Sequence, residues 1–241
     1  MKATFDATGD VIAITGGANG IGRALALAAT QAGARVVVCD RDDAAMTELR
    51  AGVPSIATRQ LDVSDRPAVM ATFAEIEQSI GPVSGLVCAA AIQPRRDPAE
   101  WERVIAVNLN GVMWCYQAVI GSMMARRKGA VVAFSSGLAH QGWPKASAYA
   151  ASKAALTAWV KSAAKEVADC RVRVNLIAPG VIDTQQYRAA NAGAADASWK
   201  SSIGVGAAED VVGPLMFLLS DAATMTASLL SRDMAYPRDE P

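Results

Sequence analysis

The sequence predicts a single α/β domain over residues 1–241, built on a doubly wound parallel sheet of about seven strands. Short apolar runs alternate with longer Ala-rich stretches along most of the chain. These short runs are continuously apolar, and do not alternate with polar residues, which is typical of parallel strands buried on both faces. No linker, low-complexity tract or internal repeat interrupts the alternation, so one domain is expected.

In the first half of the chain, four strand-like runs are separated by helical stretches. The predicted strands span residues 11–14, 35–39, 56–61 and 85–89. An Ala-rich stretch at 20–32 predicts the helix after the first strand. Ser64 and Asp65, followed by Pro67, form the pattern of a helix start: a capping side chain and then a proline in the first turn.

The second half continues the pattern with strands at 130–134 and 171–177. Residues 184–206 interrupt it, because they are rich in Ala, Gly, Ser and Asn and contain few large side chains. A loop of that length within a domain is usually functional, so we expect a lid over a substrate. The tail after Ser231 is polar and contains prolines, which predicts a surface position or a contact between subunits.

Composition and charge argue against several classes of partner. Apolar residues make up 52% of the chain and charged residues 19%, as in ordinary globular proteins. Lys plus Arg and Asp plus Glu number 23 each, so no electrostatic attraction to nucleic acid or an anionic membrane is expected. No run approaches the roughly 18 apolar residues of a membrane span, and no secretion signal is visible. Four scattered cysteines predict buried free thiols, no metal site and a cytoplasmic protein.

A glycine-rich turn joins the first strand to the first helix and predicts a phosphate-binding site of the Rossmann type. The turn reads Thr-Gly-Gly-Ala-Asn-Gly-Ile-Gly over residues 15–22. Glycines allow a sharp turn and close approach of a ligand, and the helix N-terminus offers free N–H groups to a pyrophosphate. The expected contacts are Gly16, Asn19, Gly20, Ile21 and Gly22. We therefore expect the chain to bind a dinucleotide.

The acidic residue at the end of the second strand predicts which dinucleotide is bound. Asp40 can accept hydrogen bonds from the adenosine ribose of NAD and would repel the 2′-phosphate of NADP. Arg41, next to it, could reach such a phosphate if it turned inward. Asp62, after the third strand, is placed to bond the adenine edge, with a helix cap as the alternative role. NAD is the cofactor predicted by this pattern.

A tyrosine and a lysine four residues apart predict a catalytic pair. Tyr149 and Lys153 lie on one face of a predicted helix, and Ser135 and Ser136 end the fifth strand just before it. A phenol is a poor base near neutral pH, but a nearby ammonium and the positive ring of an oxidised nicotinamide favour its anion. The pair indicates a catalytic role only in combination with the serine at the end of the strand and the dinucleotide site at the start of the chain.

With these motifs in place, the sequence resembles the short-chain dehydrogenase/reductase family from about residue 11 to residue 233. The family's TGxxxGIG motif matches residues 15–22, and its YxxxK motif matches Tyr149 and Lys153. The family serine, thirteen residues before the tyrosine, falls on Ser136 and not on Ser135. The family asparagine matches Asn108, and a Pro-Gly pair followed by a threonine matches residues 179–184.

The resemblance implies a role for each matched residue. Tyr149 would exchange a proton with the substrate oxygen, and Ser136 would hydrogen-bond that oxygen as charge develops on it. Lys153 would bind the nicotinamide ribose and lower the pKa of Tyr149. Asn108 would hold a water that relays protons, with hydrogen bonding to helix backbone groups as the alternative. Further cofactor contacts would come from Val63, Ala89, Ala90, Tyr149, Lys153, Pro179, Gly180, Ile182 and Thr184.

The sequence departs from the family pattern at three places, one of which is the connection from Ile92 to the helix around Trp101, several residues shorter than is usual in the family. Where the family has Asn-Asn-Ala-Gly after the fourth strand, residues 88–91 read Cys-Ala-Ala-Ala, so the hydrogen bonding at that strand end must differ. The common Asp-Gly-Gly near the C-terminus reads Asp-Met-Ala at residues 233–235. The candidate substrate pocket comprises Gln93, Leu138, His140, Trp143 and Tyr187. This mixture fits a medium-sized alcohol or ketone, although for His140 a loop position without a role is the favoured alternative.

The leading hypothesis is an NAD(H)-dependent oxidoreductase that interconverts a secondary alcohol and its ketone. Within the same family, the alternative is an NADPH-dependent ketone or 3-oxoacyl reductase, against which Asp40 argues. A different class of protein, a regulator that binds NAD without turnover, is also consistent with the altered residues 88–91. By the resemblance we expect a homotetramer or homodimer. Large apolar side chains at the contact would come from Val112, Met113, Trp114 and Tyr116, although burial within one subunit would explain them almost as well.

Overall fold

A computed structural model describes residues 3–93, 100–190 and 204–232 of the chain. Two predictions fall wholly or partly outside these ranges. The Asp-Met-Ala departure at residues 233–235 and nearly all of the polar tail lie beyond the last described residue. Most of the expected lid, residues 191–203, also lies outside the described part of the chain.

Seven parallel strands form one sheet in the order β3-β2-β1-β4-β5-β6-β7. The strands are β1 (Val11–Thr15), β2 (Arg35–Asp40), β3 (Ala57–Gln60), β4 (Gly85–Cys88), β5 (Gly129–Phe134), β6 (Val172–Ala178) and β7 (Leu229–Ser231). The doubly wound parallel sheet predicted from the sequence is therefore confirmed. The six strands predicted by position occur within a residue or two of their expected bounds. β7 was not located from the sequence, because it is only three residues long and partly exposed.

Helices connect the strands and cover both faces of the sheet. They are α1 (Gly20–Gln31), α2 (Asp43–Gly52), α3 (Arg66–Ser79), α4 (Trp101–Ile105), α5 (Gly111–Arg126), α6 (Leu138–Gln141), α7 (Ser147–Val167), α8 (Gln185–Ala190) and α9 (Val212–Leu219). A π-helical turn, Ala106–Asn110, joins α4 to α5. The expected start of α3 is confirmed, because the Asp65 carboxylate accepts a hydrogen bond from the Ala68 N–H at 3.0 Å and Pro67 follows in the first turn.

Successive side chains of the central strands enter two separate hydrophobic cores. Val11 and Ala13 of β1 belong to the core under α3, α5 and α7, whereas Ile12 and Ile14 belong to the core under α1 and α9. Burial on both faces explains why these strands are continuously apolar in sequence. Cys39, Cys88 and Cys115 are buried free thiols, as expected, whereas Cys170 is a free thiol that is only partly buried.

Residues 101–126, which include α4 and α5, reach the length and mean hydropathy of a helix that could span a membrane. The expectation that no segment approaches this threshold was therefore wrong. About 44% of the most apolar window in this stretch is buried inside the fold, and Cys115, Val119 and Met123 are fully buried in the core. Core helices of globular domains pass the same test of length and composition.

The strand order places a crevice at the carboxyl ends of β1 and β4. The chain runs outward in one direction from β1 through β2 to β3, and then returns to form β4 on the other side of β1. Connections from these two neighbouring strands leave toward opposite faces, so their carboxyl ends border a gap. In open α/β sheets ligands bind at such a point. The predicted glycine turn and residues 88–91 both lie there.

Candidate active site

The glycine-rich turn after β1 is packed so closely that two of its residues must be glycine. Gly16 has φ of +67°, and a Cβ atom there would lie 2.5 Å from the Ala90 backbone nitrogen. A Cβ atom on Gly22 would collide with the Gly16 carbonyl oxygen. Asn19, at the start of α1, makes no capping hydrogen bond to the helix with its side chain. The first N–H groups of α1 therefore face the crevice without a side-chain cap, as an anion site requires.

Asp40 is fixed at the end of β2 by two backbone donors. Its Oδ2 accepts a hydrogen bond from the Ala18 N–H at 3.0 Å, and its Oδ1 accepts one from the Asp42 N–H at 3.1 Å. The carboxylate thus joins the glycine turn to the segment after β2. Asp42 in turn accepts a hydrogen bond from the Asn19 side-chain amide at 3.1 Å. Each Asp40 oxygen retains a second lone pair, so the carboxylate can still accept hydrogen bonds from ribose hydroxyls.

Asp62 and Arg41 lie on the same side of the crevice. Hydrogen bonds from the Ser64 side chain and backbone to Asp62 Oδ1, at 2.6 and 2.8 Å, lower the pKa of Asp62, and the charge of Arg41 adds to this effect. Arg41 thus lies close enough to Asp62 to interact electrostatically. The alternative role of Asp62 as a helix cap was wrong, because Asp65 caps α3. Val63 is buried and packs against Gly111, because a Cβ atom added to Gly111 would lie 2.8 Å from the Val63 side chain.

The altered segment after β4 is held by main-chain and long-range side-chain contacts. Ala89 donates a backbone hydrogen bond to the Thr15 carbonyl at 3.0 Å, and Ala90 packs against Gly16. The Gln186 side-chain amide on α8 reaches across the crevice and donates to the Ala91 carbonyl at 2.6 Å. Sequence reasoning did not single out Gln186, since nothing local marks a contact 95 residues away in the chain.

Tyr149, Ser136 and Lys153 meet at the carboxyl end of β5. Tyr149 and Lys153 lie one turn apart on α7, and the Lys153 Nζ is 5.7 Å from the centre of the Tyr149 ring. The Lys153 ammonium donates a hydrogen bond to the Phe134 carbonyl at 2.8 Å. The Ser136 hydroxyl lies close enough to the Tyr149 phenol to lower the pKa of the phenol. Ser136 Oγ also accepts a hydrogen bond from the Leu138 N–H at 3.2 Å, which fixes the serine side chain.

The neighbouring serine does not share this arrangement. Ser135 is buried, and its hydroxyl has no hydrogen-bond partner among the described residues. Its backbone N–H donates to the Ile177 carbonyl at 2.9 Å, which continues the pairing of β5 with β6. Of the two serines, Ser136 is the one that lies close enough to Tyr149 to affect the pKa of its phenol.

Burial shifts the two ionisable groups of this cluster in opposite directions. It raises the pKa of the Tyr149 phenol, although the hydrogen bond from Ser136 partly offsets the effect. It lowers the pKa of the Lys153 ammonium to about 8. Desolvation disfavours the charged form of each group, so the phenol keeps its proton more tightly and the ammonium loses its proton more readily. Perturbed groups clustered in a crevice are typical of a catalytic site.

Asn108 is completely buried in the π-helical turn before α5, and its side chain holds the segment after β4. Asn108 Oδ1 accepts a hydrogen bond from the Ile92 N–H at 2.7 Å, and its Nδ2 donates to the Ile92 carbonyl at 2.9 Å. The alternative that Asn108 satisfies backbone groups of its own helix was therefore wrong. The Nδ2 also lies 3.5 Å from the Ser152 hydroxyl on α7, so Asn108 connects two walls of the crevice.

The loop after β6 folds over the glycine turn. Pro179 and Gly180 follow β6, and Ile182 pairs with Gly206 in an isolated parallel bridge. Thr184 lies at the crevice, because a Cβ atom on Gly20 would come within 3.0 Å of its methyl group. Its hydroxyl accepts a hydrogen bond from the Tyr187 N–H at 3.1 Å at the start of α8. The expected lid therefore begins with a short helix.

The predicted substrate residues are not all brought together. Gln93, Leu138 and Tyr187 are partly buried, and of these Leu138 contacts the cluster through its N–H, which donates to Ser136 Oγ. His140 and Trp143 are exposed, and 60% of the Trp143 surface faces solvent. The structure therefore does not place these two in a closed pocket wall.

Comparison with known proteins agrees with this geometry. The family described as short chain dehydrogenase matches residues 10–195. An acetoacetyl-CoA reductase from Synechocystis is 37% identical over 73% of this chain and 72% of its own length. A 2-(S)-hydroxypropyl-CoM dehydrogenase from Xanthobacter autotrophicus is 34% identical over 93% of this chain and 95% of its own length.

A solved structure shows the same arrangement over nearly the whole chain. The crystal structure of a protein named ribose-5-phosphate isomerase, from Brucella melitensis, superimposes with a TM-score of 0.89 at 28% identity. The match covers 97% of this chain and 94% of that one. That protein bears the name of an isomerase, but a shared fold does not by itself transfer an activity.

Proposed function

The chain belongs to the short-chain dehydrogenase/reductase family of oxidoreductases, and from this premise we propose that it interconverts a secondary alcohol and its ketone with NAD(H). Members of this family bind a nicotinamide cofactor. The observation that carries the proposal is the position of the buried Lys153 one turn from Tyr149, with Nζ 5.7 Å from the ring centre, and of Ser136 close to the Tyr149 phenol. Together they provide a proton donor and acceptor, a hydrogen-bond partner for the reacting oxygen and a nearby cation.

The residues of the cluster have separate tasks in this mechanism. Tyr149 accepts the hydroxyl proton of the alcohol, or donates a proton to the ketone in the reverse direction. Ser136 donates a hydrogen bond to the reacting oxygen where negative charge develops. Lys153 would hold a ribose hydroxyl of the bound cofactor and would favour the Tyr149 anion electrostatically. A bound nicotinamide supplies the hydride acceptor or donor.

The crevice also fits the rest of a dinucleotide. Gly16 and Gly22 leave no Cβ in the turn, and the uncapped start of α1 offers N–H groups to a pyrophosphate. The carbonyl and hydroxyl groups of residues 179–184 would bind the carboxamide and so decide which face of the ring reacts. Asn108 would position the Ile92 segment beside the cofactor, in addition to the proposed relay through a water.

Asp40 supports the preference for NAD over NADP. Its carboxylate is held in place by the Ala18 and Asp42 N–H groups, so it cannot turn away from a 2′-phosphate without breaking both bonds. Arg41 is attracted to Asp62, which competes with any role in binding that phosphate.

The first experiment is a rate measurement with a panel of secondary alcohols, with NAD and NADP compared side by side. We expect turnover with NAD and much less with NADP. Asp40→Ser should reduce this preference by about tenfold or more, since a charge repulsion of ~1.4 kcal/mol corresponds to a factor of ten. Asp43→Ser is the matched control, because Asp43 is exposed at the start of α2. Turnover mainly with NADP would contradict the proposed preference.

An NADPH-dependent ketone or 3-oxoacyl reductase is the second candidate function. The observation that favours it is the similarity to the acetoacetyl-CoA reductase from Synechocystis. The same assay separates the two candidates, since a 3-oxoacyl thioester reduced with NADPH faster than any ketone with NADH would favour the reductase.

We also propose that the chain acts as a homodimer or homotetramer, with partly exposed side chains of α5 at the contact.

A further inference from the structure

Arg232, the residue after β7, contacts both ends of the loop that contains α8. Its backbone N–H donates to the Ala178 carbonyl at 2.9 Å, which extends the pairing of β6 with β7 by one residue. Its guanidinium donates to the Pro179 carbonyl and lies 3.4 Å from the Asp210 carboxylate. The Arg232 and Asp210 side chains are only 21% and 15% exposed, so the pair is shielded from solvent.

Two glycines make room for this arginine. A Cβ on Gly180 would lie 2.5 Å from the Arg232 carbonyl oxygen, and Gly180 has φ of +77°. A Cβ on Gly206 would lie 2.5 Å from the Arg232 guanidinium. A larger side chain at either position would push the arginine away from the loop. The guanidinium therefore packs directly on the backbone of Gly206.

Gly206 closes the base of the loop. Its N–H donates to the Val181 carbonyl, and its carbonyl accepts from the Asp183 N–H, both at 2.8 Å. The chain thus leaves the base at residue 183 and returns to it at Gly206. Asp210, the acidic partner of Arg232, also accepts a hydrogen bond from the Ala207 N–H at 2.9 Å, which holds the residue that follows Gly206.

We propose that Arg232 is a positioning residue that holds residues 179–184 in place for the nicotinamide half of the cofactor. This inference rests on the proposed function for its ligand. Arg232 contacts Pro179 and Gly206 and acts through them. Its planar guanidinium contacts a carbonyl, a carboxylate and a glycine at once, which the single ammonium of a lysine cannot do. Residues that hold a binding loop decide how well its donors and acceptors are placed.

The test compares ligands that contain or lack the nicotinamide. Arg232→Met and Arg232→Lys are measured by calorimetry with NADH and with ADP-ribose, after circular dichroism shows that they are folded. We expect affinity for NADH to fall about tenfold in Arg232→Met, which is the size of effect produced by loss of one charged hydrogen bond. Affinity for ADP-ribose should change less than about twofold, because this ligand lacks the nicotinamide that the loop would bind. Arg232→Lys should recover only part of the loss.

Arg173→Met is the matched control, because Arg173 is also half-buried and binds the main-chain carbonyls of Leu218 and Leu219 away from the crevice. This variant should bind both ligands like the parent. Equal losses of NADH and ADP-ribose affinity in Arg232→Met, or no loss of either, would overturn the proposal. The same selective loss in Arg173→Met would also overturn it, since general destabilisation would then explain the effect.

Hydrogen exchange of the unliganded protein separates this proposal from the proposed function. The N–H groups of Asp183 and Gly206 should exchange faster in Arg232→Met than in the parent or in Arg173→Met. Unchanged protection of these two N–H groups would show that Arg232 does not hold the loop. A parent protein that binds no dinucleotide would refute the proposed function, while the exchange rates would still decide whether Arg232 anchors the loop.

Discussion

Burial opposes charge on both ionisable side chains of the Tyr149–Lys153 pair. The pKa of Tyr149 is raised and that of Lys153 is lowered to about 8, so burial by itself favours a neutral phenol and a partly neutral amine. A cofactor with a positively charged ring would favour the phenolate. Its ribose hydroxyls would bind the ammonium and favour the protonated lysine. The pair is therefore expected to become catalytically competent on cofactor binding.

Removal of the Tyr149 hydroxyl tests its role directly. Tyr149→Phe should reduce kcat by ~10²–10⁴-fold, the usual contribution of a general acid or base. NADH affinity should stay within about twofold, since the hydroxyl acts mainly in the transition state. Steady-state rates and calorimetry measure the two quantities.

Tyr116→Phe is the control for this substitution. Tyr116 is also a buried tyrosine, but it packs edge-to-face against Trp159 in the core, with ring centres 5.1 Å apart. We expect near-parental kcat for this variant. Activity of Tyr149→Phe similar to that of the parent would refute the catalytic assignment.

Lys153 should make the stability of the unliganded protein depend on pH in a predictable direction. Its pKa is about 8 in the folded state, against an ordinary value of 10.5, so the unfolded chain binds more protons between these values. The free energy of unfolding of the parent, relative to Lys153→Met, should therefore rise with pH across this window. The slope is at most ~1.4 kcal/mol per pH unit for one proton.

Urea unfolding of both proteins at a series of pH values between about 8 and 10 measures this difference. Groups other than Lys153 are common to the two proteins and largely cancel. If the free energy of unfolding of the parent, relative to Lys153→Met, stays constant or falls as pH rises, then Lys153 is not desolvated as described.

At the scale of elements, the π-helical turn between α4 and α5 binds the segment after β4 through a side chain. Its five residues include Asn108, whose amide satisfies both backbone groups of Ile92. Single π turns within helices are uncommon and occur often at functional sites. The turn thus connects the packing of α5 against the sheet to the position of the segment that borders the cofactor crevice.

Substitution of Asn108 should separate this clamp from ordinary helix packing. Asn108→Leu keeps the volume but leaves the Ile92 N–H and carbonyl without their partner, at an expected cost of ~1–3 kcal/mol in the free energy of unfolding. Cofactor affinity should fall as well, because Ile92 follows the segment that packs on the glycine turn. Urea unfolding and calorimetry measure the two effects.

Asn110→Leu serves as the comparison, since Asn110 lies in the same turn with a partly exposed side chain. It should change stability by less than ~0.5 kcal/mol, as is usual for sites away from buried networks. Equal effects of the two substitutions would show that the turn itself, and not the clamp, determines stability.

At the scale of the whole molecule, α5 presents only part of its apolar surface for contact with another subunit. Val112 and Tyr116 are buried in the core of this chain, so burial within one subunit explains them. Met113 and Trp114 are only partly buried. A contact between subunits at this helix would therefore use Met113 and Trp114.

The proposed assembly can be checked by sedimentation equilibrium, with the mass of one chain, 25.0 kDa, as the unit. We expect two or four times this mass for the parent. Met113→Glu should shift the equilibrium toward smaller species, because a charge at an apolar contact is desolvated without a partner. Met70→Glu is the control, since Met70 is 40% exposed on α3. A monomeric parent would refute the assembly.

The sequence alone determined the features that depend on neighbours along the chain. Continuous apolar runs predicted six of the strands, because burial on both faces leaves no place for polar residues. The glycine turn was visible because a sharp strand-to-helix turn at a ligand requires glycine at fixed spacings. Tyr149 and Lys153 were visible because residues four apart share one face of a helix.

Only the tertiary structure decided which distant groups meet. The Asn108–Ile92 clamp joins residues 16 apart, Arg232 and Pro179 are 53 apart, and Gln186 and Ala91 are 95 apart. Each contact joins a polar side chain to a backbone group of another segment. Backbone groups are the same at every residue, so no local pattern marks the partner. The folded sheet alone determines which carbonyl or N–H lies within reach.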